Sequence, residues 1–191
     1  MGGSDLEGMV FMDLEYGFIM NWKDKFIVYA YSNLANDIGS ISCSEAYSIA
    51  NGLFLQCGKD IKSELPHFKS NYNMIQSMHN SSPKKSKGVP QDSEFEILNA
   101  ITAKELRPSQ ESIFLSKVIN DILSKGVDAI YDGDPIYITK DKYIIDGHHR
   151  WAEAMLIDPA IELSNLRVIS DDYKNLPLFV RPNDGNIRDE G

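Results

Sequence analysis

A chain of 191 residues with a formal net charge of −9 has room for one large domain, or for one small domain and a substantial extension. Affinity for duplex nucleic acid comes largely from basic side chains that neutralise phosphates, so this acidic balance disfavours nucleic acid as the partner. No apolar run approaches the roughly 20 residues that span a bilayer, and the N-terminus lacks the basic-then-apolar order of a secretory signal, so no membrane partner and a cytoplasmic location are expected.

Tyr16–Tyr31 is aromatic and β-branched, and a turn at Lys23-Asp24 predicts a hairpin there. Ser42 or Ser44 is placed to cap a helix running to Gln56, with Gly58 as its stop and Tyr47, Ile49, Ala50, Leu53, Phe54 and Cys57 on its apolar face. Cys43 and Cys57 would then lie about 21 Å apart along the axis, beyond the roughly 7 Å that a disulfide spans, as two small hydrophobes in a reducing compartment. His67 and His79 read as ordinary surface or core histidines. Ser81–Pro90 carries Pro, Ser, Gly and three lysines, the composition of a solvated linker. Residues 1–90 are thus expected to form an N-terminal α/β extension and linker without a chemical motif, a place where a protein partner can dock.

After the linker, Phe95-Glu96-Ile97 alternates like a strand. Ser109 or Ser112 can cap a helix in which Phe114, Leu115, Val118, Ile119, Ile122 and Leu123 repeat at helical spacing, closed by Gly126. Pro135–Thr139 and Tyr143–Ile145 predict two short strands around a Lys140-Asp141 turn. A further helix keeps Trp151, Ala154 and Met155 on one side and stops at Asp158-Pro159; Ile161–Ile169 reads as another strand. This order predicts a small α+β domain with a mixed sheet over residues 91–175, followed by a polar tail at 176–191, frayed from Arg181.

The string Asp146-Gly147-His148-His149-Arg150 sits where an apolar strand runs straight into that last helix. A helix start presents unpaired backbone N–H groups and the positive end of the macrodipole, which suits a phosphate. The same turn supplies a carboxylate, a glycine that lets a ligand approach, two imidazoles and a guanidinium, and so predicts a nucleotide or phosphate site.

Leu106-Arg107-Pro108-Ser109-Gln110, the following helix, Pro135–Thr139 and Tyr143–Ala152 resemble the ParB/sulfiredoxin-like superfamily over Glu94–Ser170. Sulfiredoxins carry a nucleophilic cysteine between the glycine and the HisArg pair; this chain has His148, and an imidazole cannot form the sulfur–sulfur intermediate. ParB proteins carry GlyGluArgArg at the turn and a helix-turn-helix domain behind it, for which the segment after Ile161 is too short. The closest similarity is to the free serine kinases of this fold, which share Asp-Gly-His-His-Arg-Trp and an earlier Lys/Arg-Pro stretch followed closely by a glutamate. Here Arg107-Pro108-Ser109-Gln110-Glu111 matches that stretch with the glutamate one residue further on, so either Gln110 or Glu111 takes the catalytic position. The resemblance implies ATP or ADP, or another nucleoside polyphosphate, with Mg²⁺ and a small hydroxyl-bearing acceptor.

Phosphoryl transfer is mostly positioning plus charge neutralisation. The expected phosphate contacts are Gly147, His149 and Arg150, joined by Arg107, Ser109, Gln110 and Lys117. Asp146 is expected to hold Mg²⁺ or accept a proton, Glu111 to act as the leading base, and His148 to orient the substrate or bind phosphate. Each has a structural rival: Asp146 as a helix N-cap, Glu111 as a first-turn carboxylate, Lys117 as a solvated residue, and the two histidines as metal ligands. Trp151 reads as core before base-stacking platform. The expected function is a nucleotide-dependent phosphotransferase or nucleotide hydrolase; the alternatives are a ParB-like nucleotide-sensing or DNA-associated module, including a nuclease, and a non-catalytic partner-binding protein.

Overall fold

The computed structural model describes residues 10–13, 18–21, 26–29, 40–83, 87–89, 93–98, 100–110, 113–131 and 133–178. Strands β1 (Val10–Asp13), β2 (Phe18–Asn21) and β3 (Phe26–Tyr29) pair antiparallel in that order. The β2–β3 pair sets Asn21 opposite Phe26 within the hairpin expected for Tyr16–Tyr31, and the Lys23-Asp24 turn lies outside the described residues.

Helix α1 (Cys43–Gln56) starts where local groups satisfy its first N–H donors. The Glu45 N–H donates to the Ser42 hydroxyl at 3.2 Å, and the Ser42 N–H donates back to the Glu45 carboxylate at 2.9 Å. Ala46, Ala50, Leu53 and Phe54 face inward, and no disulfide joins Cys43 and Cys57. A one-turn helix, α2 (Ile61–Glu64), leads to α3 (Phe68–Asn80), which buries Phe68, Tyr72 and Ile75.

Beyond residue 90, β4 (Phe95–Leu98) and β5 (Ile101–Thr102) precede α4 (Leu115–Lys125). Then β6 (Ile136–Thr139) and β7 (Ile144–Asp146) lead into α5 (His148–Ile157), and β8 (Glu162–Leu163) and β9 (Leu166–Ile169) follow. The sheet order is β4-β9-β6-β7, with β9 parallel to β6 and the outer pairs antiparallel, while β5 pairs with β8. The fold is therefore α+β with a small mixed sheet. Ile161–Ile169, expected as one strand, is two, because Asn165 at φ +59° breaks it and the pieces find different partners. Helix α4 begins later than expected: Phe114 takes the cap position without a side-chain cap bond, and Ser112 lies outside the described residues.

One apolar cluster runs from Ile41 to Leu166 and draws side chains from both halves of the chain. Helix α3 lies against α5, and α1 against α4. Polar ties cross the same boundary. Buried Asn71 donates to the Leu156 carbonyl at 3.1 Å, and the Lys59 ammonium donates to the Leu123 carbonyl at 3.2 Å, a cation at the negative end of α4. The expected linker is engaged where it is described. Lys87 bridges Leu178 and its Nζ donates to the Leu176 carbonyl at 2.7 Å, while the Gly88 N–H donates to the Pro177 carbonyl at 3.0 Å. Residues 40–80 thus share the core of the motif-bearing half. No helix among the described residues is long and apolar enough to cross a membrane. The tail from Arg181 lies outside the described residues.

Candidate functional site

Strand β7 delivers Asp146 to the end of the sheet, Gly147 turns at φ +97°, and α5 begins at His148. A side chain on Gly147 would bring its Cβ to 2.9 Å from Ile136 Cγ1. The glycine therefore serves the turn and its packing on β6, which corrects the expectation that it clears space for a ligand. Gly147 occupies the N-cap position, no side chain caps the helix, and no acidic residue lies in its first turn. The rival role of Asp146 as N-cap is thereby removed; its Oδ1 accepts the Gly147 N–H at 2.7 Å. The positive end of α5 is left to backbone N–H groups and basic side chains.

Both imidazoles turn inward, His148 being 3% and His149 7% exposed. His148 Nε2 accepts the N–H groups of Ser109 at 3.0 Å and Gln110 at 3.1 Å. His149 Nε2 accepts the Phe114 N–H at 3.1 Å, and its ring stacks on that of Phe114. A nitrogen that accepts a hydrogen bond carries no proton, so both rings are neutral with the proton on Nδ1. Burial, then His79, then His149 press the pKa of His148 down to about 3. His79, on α3, is the core histidine expected: it is buried, with its ring 6.3 Å from that of Trp151. The two histidines clamp the backbone at Ser109, Gln110 and Phe114. They meet different partners, and no group of three or more His, Cys, Asp or Glu suited to a metal occurs among the described residues.

Arg107 forms a parallel bridge with Tyr143, donating its N–H to the Lys142 carbonyl at 2.9 Å and accepting the Ile144 N–H at 2.8 Å. Arg107-Pro108-Ser109-Gln110 therefore runs beside Tyr143–His148, which unites the two elements that lie apart in sequence. Ser109 is buried, its hydroxyl donating to the Ile144 carbonyl and its N–H to His148. Ser109 is committed to the fold, a correction to its expected role as helix cap or phosphate contact. Arg107 is exposed with its guanidinium 5.5 Å over the Tyr143 ring, and Gln110 is half-buried. Glu111 lies outside the described residues; Gln110 and Phe114, on either side of it, are both tied to the first turn of α5.

Arg150 is half-buried and donates to the Asp134 carbonyl. Gly133, at φ +109°, admits the guanidinium, since a Cβ there would stand 2.9 Å from Arg150 Nη2. One turn further along α5, Glu153 is 3% exposed, on a helix that packs against α4, which carries Asp121. Burial first, and Asp121 next, push the Glu153 carboxyl up to about 10, against the opposing charges of Arg150 and Lys117. Lys117 thus stands on the Arg150 and Glu153 side of α5. Gly133, Asp121 and Glu153 are functional candidates that sequence reasoning missed. A usable signal was present: Lys117 and Asp121 are four apart on α4, Arg150 and Glu153 three apart on α5, so each pair shares a face of its helix. Trp151 is fully buried and donates to the Ala103 carbonyl at 2.9 Å, a core residue and not a stacking platform.

No family model matches the chain, and no curated protein or solved structure matches it significantly.

Proposed function

We propose that this chain is a nucleotide-dependent phosphotransferase of the ParB/sulfiredoxin-like type, kinase-like, or a nucleotide hydrolase, with its phosphate site at the start of α5. The observation that carries this reading is the parallel alignment of Arg107–Gln110 with β7, clamped by His148 and His149 over an uncapped helix N-terminus whose first turn holds Arg150 and no acid. Such an end favours a polyphosphate by about 0.3–1 kcal/mol through the dipole, and Arg150 adds charge-assisted, forked donors. The imidazoles contribute by fixing the backbone and not by touching phosphate.

In this reading Asp146 or Glu111 accepts the proton of an acceptor hydroxyl. The hydroxyl oxygen then takes the terminal phosphoryl group, and the nucleoside diphosphate leaves with the electron pair of the broken P–O bond. No group of three or more metal-ligating side chains occurs among the described residues, so a Mg²⁺ here would have to arrive with its nucleotide, held by Asp146 at the end of β7 together with phosphate oxygens. Bound there, Mg²⁺ would neutralise phosphate charge.

A module that binds nucleotide without turnover is the second reading. The burial of His148 favours it, because one of three candidate catalytic groups is committed to the fold. Thermal unfolding with ATP, ADP and other nucleoside polyphosphates, with and without Mg²⁺, tests both. A ligand near 100 times its Kd should add about 2.7 kcal/mol of stability. Nucleotide-dependent phosphorylation of a small hydroxyl compound supports the kinase, diphosphate release alone the hydrolase, and binding alone the sensor. If no nucleotide shifts the transition, the phosphate site is rejected.

A further inference from the structure

We propose that Arg167, with Phe95, Ile97 and Tyr137 around it, forms a binding site for a carboxylate carried on an aromatic or aliphatic body, on the outer face of the four-stranded sheet. The site is separate from the α5 turn and does not rest on the phosphate reading. Side chains alternate between the two faces of a strand. Leu166 of β9 and Ile136 and Ile138 of β6 are buried in the apolar core, so Arg167 and Tyr137 belong to the opposite face. The register sets Arg167 between Ile97 of β4 and Tyr137 of β6, and cross-strand partners share a face. Phe95 and Tyr137 reach toward each other across β9, with their ring centroids 5.2 Å apart in an edge-to-face contact. Phe95 is 40% and Ile97 64% exposed, while Arg167 and Tyr137 are half-buried.

The guanidinium decides what this patch takes. Nη1 of Arg167 is buried without a hydrogen-bond partner, and among the described residues no carboxylate forms an ion pair with this side chain. Arginine cannot shed its charge in a protein, and a buried charged donor without an acceptor is costly enough that native structures seldom keep one without a use. The chain has 28 acidic residues against 19 basic ones, yet the carboxylate of β4, Glu96, pairs with Val168 and so belongs to the other face. The acceptor therefore comes from outside. One guanidinium balances one negative charge, and its cross-strand neighbours are an alkyl group and a ring, which suits a carboxylate better than a doubly charged phosphate. The carboxylate takes two parallel N–H donors from the fork, and its apolar body covers the exposed side chains of Phe95 and Ile97. With no bond holding the guanidinium, turning Nη1 toward the ligand costs only a change of rotamer.

The test titrates the full chain calorimetrically with hydrocinnamate, which joins a carboxylate to a phenyl ring. Hydrocinnamate should bind about tenfold more tightly than acetate, which lacks the ring, or hydrocinnamyl alcohol, which lacks the charge. Arg167→Met keeps an apolar stem and removes the charge, so affinity should fall about tenfold. Its urea midpoint should not fall, because no hydrogen bond of the guanidinium is lost within the fold. An Arg167→Met chain that unfolds or loses stability would show the guanidinium to be a structural group, and overturns the proposal. Ile97→Asp keeps the test independent of that variant: the position is 64% exposed, and the new carboxylate would occupy Arg167 and weaken hydrocinnamate about tenfold. A tripeptide acid ending in phenylalanine separates the two sources of such a group. Tighter binding than hydrocinnamate assigns the site to a chain terminus, and weaker binding to a small free acid. No binding of hydrocinnamate, equal affinity in the wild type and both variants, or displacement by inorganic pyrophosphate each overturns the separate site. The first two leave the phosphate site at α5 untouched, and the third would merge Arg167 into it.

Discussion

At Gly147 two constraints coincide, a backbone at φ +97° and an Ile136 side chain standing where a Cβ would go. Gly147→Ala must accept both the strain and the overlap, each on the order of 1–3 kcal/mol, so a loss of about 3 kcal/mol in urea unfolding is expected. A loss below about 0.5 kcal/mol would show that the turn relaxes freely. Arg150 carries the opposite expectation, because it is half-buried and its described contact is to a backbone carbonyl. Arg150→Ala should leave the unfolding midpoint within about 1 kcal/mol while weakening pyrophosphate binding about 10- to 100-fold, the worth of lost charge-assisted hydrogen bonds. Arg150→Lys should recover only part of that affinity, since an ammonium cannot reproduce the fork. The strand-to-helix turn at the motif was legible in sequence because its elements are local. The directions of its rings were not, because neighbours on a helix point about 100° apart and only the packing of α5 decides which side faces the core.

Element by element, legibility follows the range of the interactions involved. The start of α1 is readable from Ser42 and Glu45, since a capping box closes within four residues. The placement of Ser109 is not readable, because its partners, Ile144 and His148, arrive only after the Arg107 segment aligns with β7. With that alignment, the backbone at Ser109, Gln110 and Phe114 is held by two side chains of another element. His148→Ala would leave two N–H donors without their acceptor, each worth about 1–3 kcal/mol. Native-state hydrogen exchange should therefore quicken at Ser109 and Gln110 in His148→Ala, and at Phe114 in His149→Ala. Exchange at these amides as slow as in the wild type would mean that the clamps are dispensable. If nucleotide binding falls in step with the exchange rates, the clamped segment belongs to the site.

For the molecule as a whole, stability against pH follows from two buried groups whose signs oppose. His148 has its folded pKa lowered from 6.5 to about 3 by burial first, so between those values the unfolded chain binds the extra proton and stability is lost as pH falls. Glu153 has its folded pKa raised from 4.5 to about 10, again by burial first, so the folded chain holds the extra proton and stability is lost as pH rises through that window. Each contributes a slope of up to about 1.4 kcal/mol per pH unit. Between pH 4.5 and 6.5 both windows apply and the slopes cancel, so the wild type should show a plateau there. Below it stability should fall, as His148 is joined by Glu105, an exposed carboxylate held at about 2 first by the Thr102 hydroxyl. Above pH 6.5 stability should also decline, from Glu153 alone. Glu153→Gln deletes one of the two slopes: its stability should climb steadily from pH 4.5 to 6.5 and then level off where the wild type declines. Urea midpoints measured across this range decide the matter. A wild type that climbs like Glu153→Gln would mean that Glu153 is ionised in the folded chain, and that the helix interface holds a buried anion.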